Sequence, residues 1–322
     1  MIRYKCTVSY NGRNYSGWQT QKKGNSIQEH IEHALTQLTH KKINITAAGR
    51  TDKGVNAQGQ VFHFDTELEM TPRKWKGAIN NFLPEDIHII DVEEKDERFH
   101  ARYSVKTKQY DYKINFGEYD VFSKDYAYQC PYQVDIKLME KASKLFIGTH
   151  DFTSFNSNSL KETPDQVRTI ENIIFKKDGD FLTISYIGRG FLRYMVRMLT
   201  AQLLDVGSGK QTIEELKEKF ESKSKRVSRK NAPSEGLTLV KIDYFEVLAL
   251  NNTYMIREYL PEDKLPKGLT LKKAYQKHYA FTERHSQTIL GDIEIKNGKR
   301  IPHLYDESLQ EEVFILLNNC NH

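Results

Sequence analysis

Residues 49 to 57 read Gly-Arg-Thr-Asp-Lys-Gly-Val-Asn-Ala, and Asp52 stands between a cation and two glycines. No second acid lies within ten residues of it on either side, whereas a carboxylate loop that binds a hard cation supplies several oxygen ligands. Metal chemistry is disfavoured, and the isolated carboxylate reads as a nucleophile. Arg50, two residues earlier, can share a face of an extended segment with Asp52 and keep it ionised. Gly49 and Gly54 allow a tight turn and a close approach to a ligand. The nonapeptide alone also fits a surface turn whose Asp caps the backbone.

Four other segments carry polar and aromatic residues beyond what a core requires. Arg98-Phe99-His100-Ala101-Arg102 gathers basic groups around a Phe, as phosphate contact would, or forms a linker with ordinary surface charge. Lys108-Gln109-Tyr110-Asp111-Tyr112 has a strand alternation that puts Tyr110 and Tyr112 on one face, a pattern that core packing also produces. From Arg189 to Arg197 the chain reads as the opening of a helix in which Arg193 and Arg197, one turn apart, share a face with Gly190. Like charges so placed call for an anionic partner. Ala232 to Leu237 reads as structural.

The elements that must position these residues follow a repeated order. Residues 3–10 alternate as a strand, and Ser26-Ile27-Gln28-Glu29 is a capping box opening a helix with Ile27, Ile31, Ala34, Leu35 and Leu38 on one face. Strands over 43–48 and 57–65, a helix from Thr71-Pro72 to Phe82 and a buried strand from Ile87 to Val92 complete β-α-β-β-α-β. A similar order recurs after residue 105: strand 105–116, helix 135–147, strands 168–176 and 181–187, helix 191–205 and strand 237–247. The expected fold class is α+β, two ferredoxin-like halves with antiparallel sheets side by side (1–104 and 105–247), plus a C-terminal extension, 248–322.

The 322 residues, 38% apolar, are enough for a substantial core, and the net charge of +5 permits a polyanionic partner. Residues 246–322 hold 10 basic and 11 acidic side chains, so residues 1–245 carry 38 against 32 and hold the whole positive excess. Three distant cysteines, Cys6, Cys130 and Cys320, offer no zinc-ligand spacing and fit a reducing compartment. Without a signal-peptide core or an eighteen-residue apolar run, a cytoplasmic protein that does not enter a membrane is expected. Gly207-Ser208-Gly209-Lys210 lacks the upstream glycine and following Ser or Thr of a phosphate loop and reads as a helix terminator.

Taken together, these segments resemble the TruA-type tRNA pseudouridine synthases. The resemblance rests on Gly49 to Ala57, Leu83 to Ile87, Phe99 to Arg102, Tyr110-Asp111-Tyr112, His150 to Phe155, Val167 to Ile170, Phe191 to Arg197 and Ala232 to Leu237, with Tyr10-Asn11-Gly12 and Gly17-Trp18-Gln19 at the start. It implies an enzyme that isomerises uridine to pseudouridine in the anticodon arm of tRNA, at positions 38 to 40, without metal or organic cofactor and usually as a homodimer. By resemblance Asp52 is the catalytic carboxylate, Arg197 its partner and Tyr110 the active-site tyrosine. Arg50 matches the residue that holds the target base out of its stack. Arg98, His100, Arg102 and Arg168 complete the implied substrate-binding set. Lys53 and Asn56 depart from the Ala and His most often found there, and residues 248–322 have no counterpart in the usual pattern. The competing class is a non-catalytic RNA-binding or RNA-folding protein of the same fold.

Overall fold

Tyr4, Cys6, Val8 and Tyr10 are buried at alternate positions of the first strand, β1 (Ile2–Tyr10), as a period of two demands when one face meets a core. A computed structural model describes residues 1–21, 24–96, 99–161 and 163–244, and the strands 247–250, 253–256, 291–296 and 299–304. The chain divides into two compact units, Met1–Tyr244 and Phe245–His322.

In the first unit the expected elements appear in order. The Ser26 and Glu29 side chains cap helix α1 (Ile27–Thr39) reciprocally, an arrangement that contributes about 1 kcal/mol. Strands β2 (Thr46–Ala47) and β3 (Asn56–Thr66), helix α2 (Pro72–Asn80) and strand β4 (Ile87–Lys95) follow. Trp75 of α2 packs its ring 5.4 Å from Tyr4 and 5.2 Å from Phe64, fixing the helix against β1 and β3. Next come β5 (Val105–Asn115), β6 (Tyr128–Gln129), α3 (Ile136–Ser143), β7 (Gly148–Asp151), β8 (Val167–Asp178), β9 (Phe181–Gly188), α4 (Met195–Gly207), α5 (Ile213–Glu221) and β10 (Leu237–Tyr244). Tyr186 of β9 and Thr200 of α4 share a buried hydrogen bond of 2.9 Å.

These strands form one mixed but mostly antiparallel sheet, ordered β4-β1-β3-β10-β5-β9-β8-β7, with β2 on β3 and β6 on β5. The centre of the sheet is a short parallel register, Thr238 opposite Asn56 and Leu239 opposite Ala57. Close approach there depends on Gly59, where a Cβ would come within 2.5 Å of the Val240 carbonyl oxygen. The second unit contains two antiparallel hairpins, β11 (Val247–Leu250) with β12 (Thr253–Ile256) and β13 (Gly291–Lys296) with β14 (Lys299–Leu304). The helix-like stretch Leu269 to Phe281 and the apolar run Val313 to Leu317, both noticeable in the sequence, lie outside the described residues.

Besides the added short strands β6 and β7, three local features differ from expectation. Helix α4 begins at Met195 rather than residue 191, because Tyr194 takes a left-handed conformation (φ 62°) at its N-cap. Arg193 therefore precedes the helix, and the one-turn Arg193–Arg197 face does not exist. The second difference is α5, a helix absent from the expected order, which Thr212 and Glu215 open with a capping box like that of Ser26 and Glu29. The third concerns Gly49, which is not among the positive-φ residues; it leaves space for the Lys108 ammonium, which would lie 2.9 Å from a Cβ there. As expected, α4 stops at Gly207, with Gly209 left-handed (φ 72°) just beyond.

Candidate active site

Asp52 sits in the turn that delivers the chain into β3 beside the central parallel register. The Val55 N–H donates to the Asp52 carbonyl at 3.1 Å, and Gly54 (φ 77°) turns the backbone in the region that favours glycine. The turn is gripped from one side by residues 10–18. The Trp18 N–H donates to the Thr51 carbonyl at 3.1 Å, and the Tyr10 hydroxyl lies 2.8 Å from the Thr51 hydroxyl. Gly12 and Gly17 are pressed so closely onto the turn that a Cβ would fall 2.1 Å from the Val55 oxygen and 2.7 Å from the Thr51 oxygen, respectively. Asn56 seals the same contact: its Oδ1 accepts from the Gly12 N–H at 2.8 Å and its Nδ2 donates to the Asp125 carbonyl at 2.9 Å. The departure at Asn56 thus has a structural task.

The approach to Asp52 runs beside β3, and side chains complete its backbone hydrogen bonding. Gln60 Nε2 donates to the Gly49 carbonyl at 3.0 Å, and Lys108 Nζ donates to the Ala48 carbonyl at 2.8 Å.

Arg197 comes from the first turn of α4 and brings its Nη1 to 3.9 Å from Asp52 Oδ2, with 14% and 17% of the two side chains exposed. Its Nε donates to the Ala232 carbonyl at 2.7 Å, and the Ala232 N–H donates back to the Arg197 carbonyl at 3.0 Å. The Tyr194 ring lies beneath both neighbouring guanidiniums, 5.0 Å from Arg193 and 5.4 Å from Arg197. Residues 232–236 do more than lead into β10. The Pro233 carbonyl accepts from the Tyr112 hydroxyl at 2.8 Å, and Ser234 Oγ is 2.5 Å from where a Gly54 Cβ would stand.

Burial raises the Asp52 pKa to about 6, against the opposing pull of Arg197 and then Arg193. An arginine partner by itself predicts a net fall; at 3.9 Å the pairing is too long for a charge-assisted hydrogen bond and does not offset desolvation. Arg50 is exposed and is not among the charges that act on Asp52. Tyr110 is buried, with its ring edge-on to Phe191 at 5.3 Å. Burial, with the Tyr10 and Asp52 charges, pushes its hydroxyl well above the usual phenol range. Among the described residues that hydroxyl has no hydrogen-bond partner, unlike that of Tyr112.

Asp52 therefore faces Arg197 and is near enough to Tyr110 for its charge to act on that hydroxyl. The outer basic residues are separate from this trio. His100 Nδ1 accepts from the Arg102 and Tyr103 N–H groups at 3.2 and 3.3 Å, so the ring shapes a turn, while the Arg102 side chain is exposed. Arg168 donates to the Asp165 and Val167 carbonyls. Arg98 lies outside the described residues. Sequence reasoning gives no role to Lys108 or Tyr194, and pairs Arg193 with Arg197 only as a like-charged helix face; for Lys108 the available signal is its period-two spacing from Tyr110 and Tyr112. Among the described residues no group of three or more His, Cys, Asp or Glu could hold a metal, and no helix is long and apolar enough to cross a membrane.

The sequence profile of the tRNA pseudouridine synthase family matches residues 7–104 and 142–245. This chain belongs to that family. Among its relatives, tRNA pseudouridine synthase A of Geobacillus sp. (strain WCH70) is 45% identical over 244 residues, 75% of this chain and 98% of the relative. The protein of that name from Anoxybacillus flavithermus is 42% identical over 246 residues, 76% of this chain and 99% of its own. tRNA pseudouridine synthase A 1 of Bacillus cereus (strain ATCC 10987) is 43% identical over 247 residues, with the same coverage. For this pseudouridine synthase family member, the profile match takes in residues 10–18, the Asp52 turn, Arg197 and residues 232–236, passes over 105–141 with Lys108, Tyr110 and Asp125, and ends at the boundary of the second unit.

Proposed function

We propose that this protein isomerises uridine to pseudouridine in tRNA, with Asp52 as the catalytic carboxylate. The observation that carries the reading is the convergence of a largely buried carboxylate, a guanidinium and a tyrosine without a bonded hydroxyl at the centre of the sheet. The reaction breaks the bond between uracil N1 and ribose C1′, turns the detached base and joins C1′ to C5; the C5 hydrogen is lost and N1 gains a proton. Asp52 opens this sequence either by attack at C1′ or by taking the C2′ proton. Both need the carboxylate form, which predominates at pH 7 with a pKa of about 6. Tyr110 stacks on the detached base and assists removal of the C5 proton.

The exposed Arg50 holds the target nucleotide out of its stack, and Arg98, His100, Arg102 and Arg168 form the outer RNA contacts. The strand orders β4-β1-β3-β2 and β10-β5-β9-β8 support two ferredoxin-like halves, 1–104 and 105–247, with 248–322 as an extension. Family membership further supports a target in the anticodon arm at positions 38 to 40, a homodimer and a cytoplasmic location. The direct test incubates purified protein with unmodified tRNA transcripts in excess chelator and maps pseudouridine by carbodiimide labelling. Binding of tRNA with no pseudouridine formed would establish the non-catalytic RNA-binding alternative instead, and activity lost only on chelation would point to a metal.

A further inference from the structure

Lys108 is a cation without an anion. Its ammonium donates to one neutral group, the Ala48 carbonyl at 2.8 Å, and among the described residues no carboxylate pairs with it. An ammonium has three donors, and holding it away from bulk water is costly unless an anion or several acceptors compensate. Burial first, and the Arg102 charge second, hold its pKa down to about 8. The same Arg102 charge also acts on Arg168, which burial and Arg102 keep below the usual guanidinium range despite Asp165. Lys108 of β5 lies opposite Gly188 of β9, which lies opposite Ile170 of β8, two residues after Arg168, and Arg102 is in the turn before β5, so the sheet register brings cations from separate places into one neighbourhood. Gly49 is the complementary feature, because a side chain there would displace the ammonium.

We propose that Lys108, Arg102 and Arg168 form an anion subsite that takes a backbone phosphate of the RNA beside the nucleotide presented to Asp52. Lys108 links that phosphate to the Ala48 carbonyl, four residues before Asp52, so binding the strand also tightens the catalytic turn. The inference rests on RNA being the substrate and adds a ligand class and a residue, Lys108, to that reading. A phosphodiester suits the site because its two free oxygens accept from several donors at once, and because its negative charge restores the balance that Lys108 lacks.

The test uses full-length protein and an unmodified tRNA transcript, with affinity measured against salt concentration. Lys108→Gln keeps a donor for the Ala48 carbonyl but removes the charge. Losing one phosphate contact should make the slope of log affinity against log salt shallower by about 0.7 to 0.9, which is a loss of about sixfold at 0.1 M salt. Arg102→Gln should act in the same direction, and since that side chain is exposed it decides the question if the Lys108 variant does not fold. Unchanged slope and affinity in folded Lys108→Gln, or in Arg102→Gln, would overturn the subsite. A variant that isomerises slowly at saturating tRNA but keeps the wild-type slope would overturn it too, leaving Lys108 only a tether. Wild-type protein that binds tRNA but forms no pseudouridine would refute the isomerase reading and leave the subsite standing or falling on the salt slopes alone.

Discussion

Asp52 and Arg197 face one another from segments that are held by different means. On the Asp52 side the restraint is steric and neutral: Gly12 and Gly17 lie against the turn, Asn56 joins it to residue 12, and backbone hydrogen bonds close it. On the Arg197 side the restraint is a reciprocal pair of bonds with Ala232, an aromatic ring beneath two guanidiniums and a left-handed Tyr194. Gly190, near the start of that segment, has nothing within 4 Å of where a Cβ would be. A carboxylate in so confined a turn has its pKa set mainly by burial. The guanidinium, tied through its Nε to the Ala232 carbonyl, stands 3.9 Å from that carboxylate.

The largest expected effect is on chemistry. Asp52→Asn keeps the shape of the side chain and removes its charge, so pseudouridine formation should vanish while tRNA affinity stays within about tenfold. Near-normal turnover would remove the central assignment. The same variant should be more stable than wild type at pH 7. A carboxylate whose folded pKa, about 6, exceeds its ordinary value of 3.8 makes the protein gain stability as pH falls through that window. The Asn variant should thus lead by on the order of 2 kcal/mol at pH 7 and lose that lead below about pH 4, measured by urea unfolding.

Next in size is the steric contrast. Gly12→Ala forces a methyl into the Val55 carbonyl and should lower stability by on the order of 3 kcal/mol, whereas Gly190→Ala should change it by less than about 0.5 kcal/mol. Equal effects in thermal melts would erase the difference between the two sides.

The electrostatic contrast is smaller and is read from pH profiles. Arg197→Met removes the main charge opposing burial, so the acid limb of the single-turnover rate should move upward from about pH 6. Arg50→Gln should weaken RNA handling without moving that limb. An unmoved limb in the Arg197 variant would separate that residue from the carboxylate.

The smallest effects compare two tyrosines of β5. Tyr112→Phe loses the bond to the Pro233 carbonyl and should cost about 1 kcal/mol, while Tyr110→Phe loses no protein hydrogen bond and should leave stability nearly unchanged. Release of a C5 label should slow in the Tyr110 variant only. A wild-type release rate there would leave stacking as the supported role of Tyr110.

Local rules determined a large part of this protein from the sequence alone. The period-two burial of β1, the Ser26 capping box, the Thr71-Pro72 helix start and the stop at Gly207 depend on neighbours in sequence, so short windows carried them. The set Asp52, Tyr110 and Arg197 was legible through ordered motifs, although spacing alone did not bring its members together. Long-range contacts decided the rest. Pattern alone could not place the start of α4, because the apolar run through Phe191 and Leu192 continues a helical period while the left-handed Tyr194 interrupts it. The sign of the Asp52 shift depended on how much water the fold removes and how far away Arg197 stops, two quantities set by the packing of residues 10–18 and 232–236. Lys108 gained its meaning only when β5 came alongside Ala48, because an unpaired charge is recognisable only once every neighbour that could have paired with it is in place.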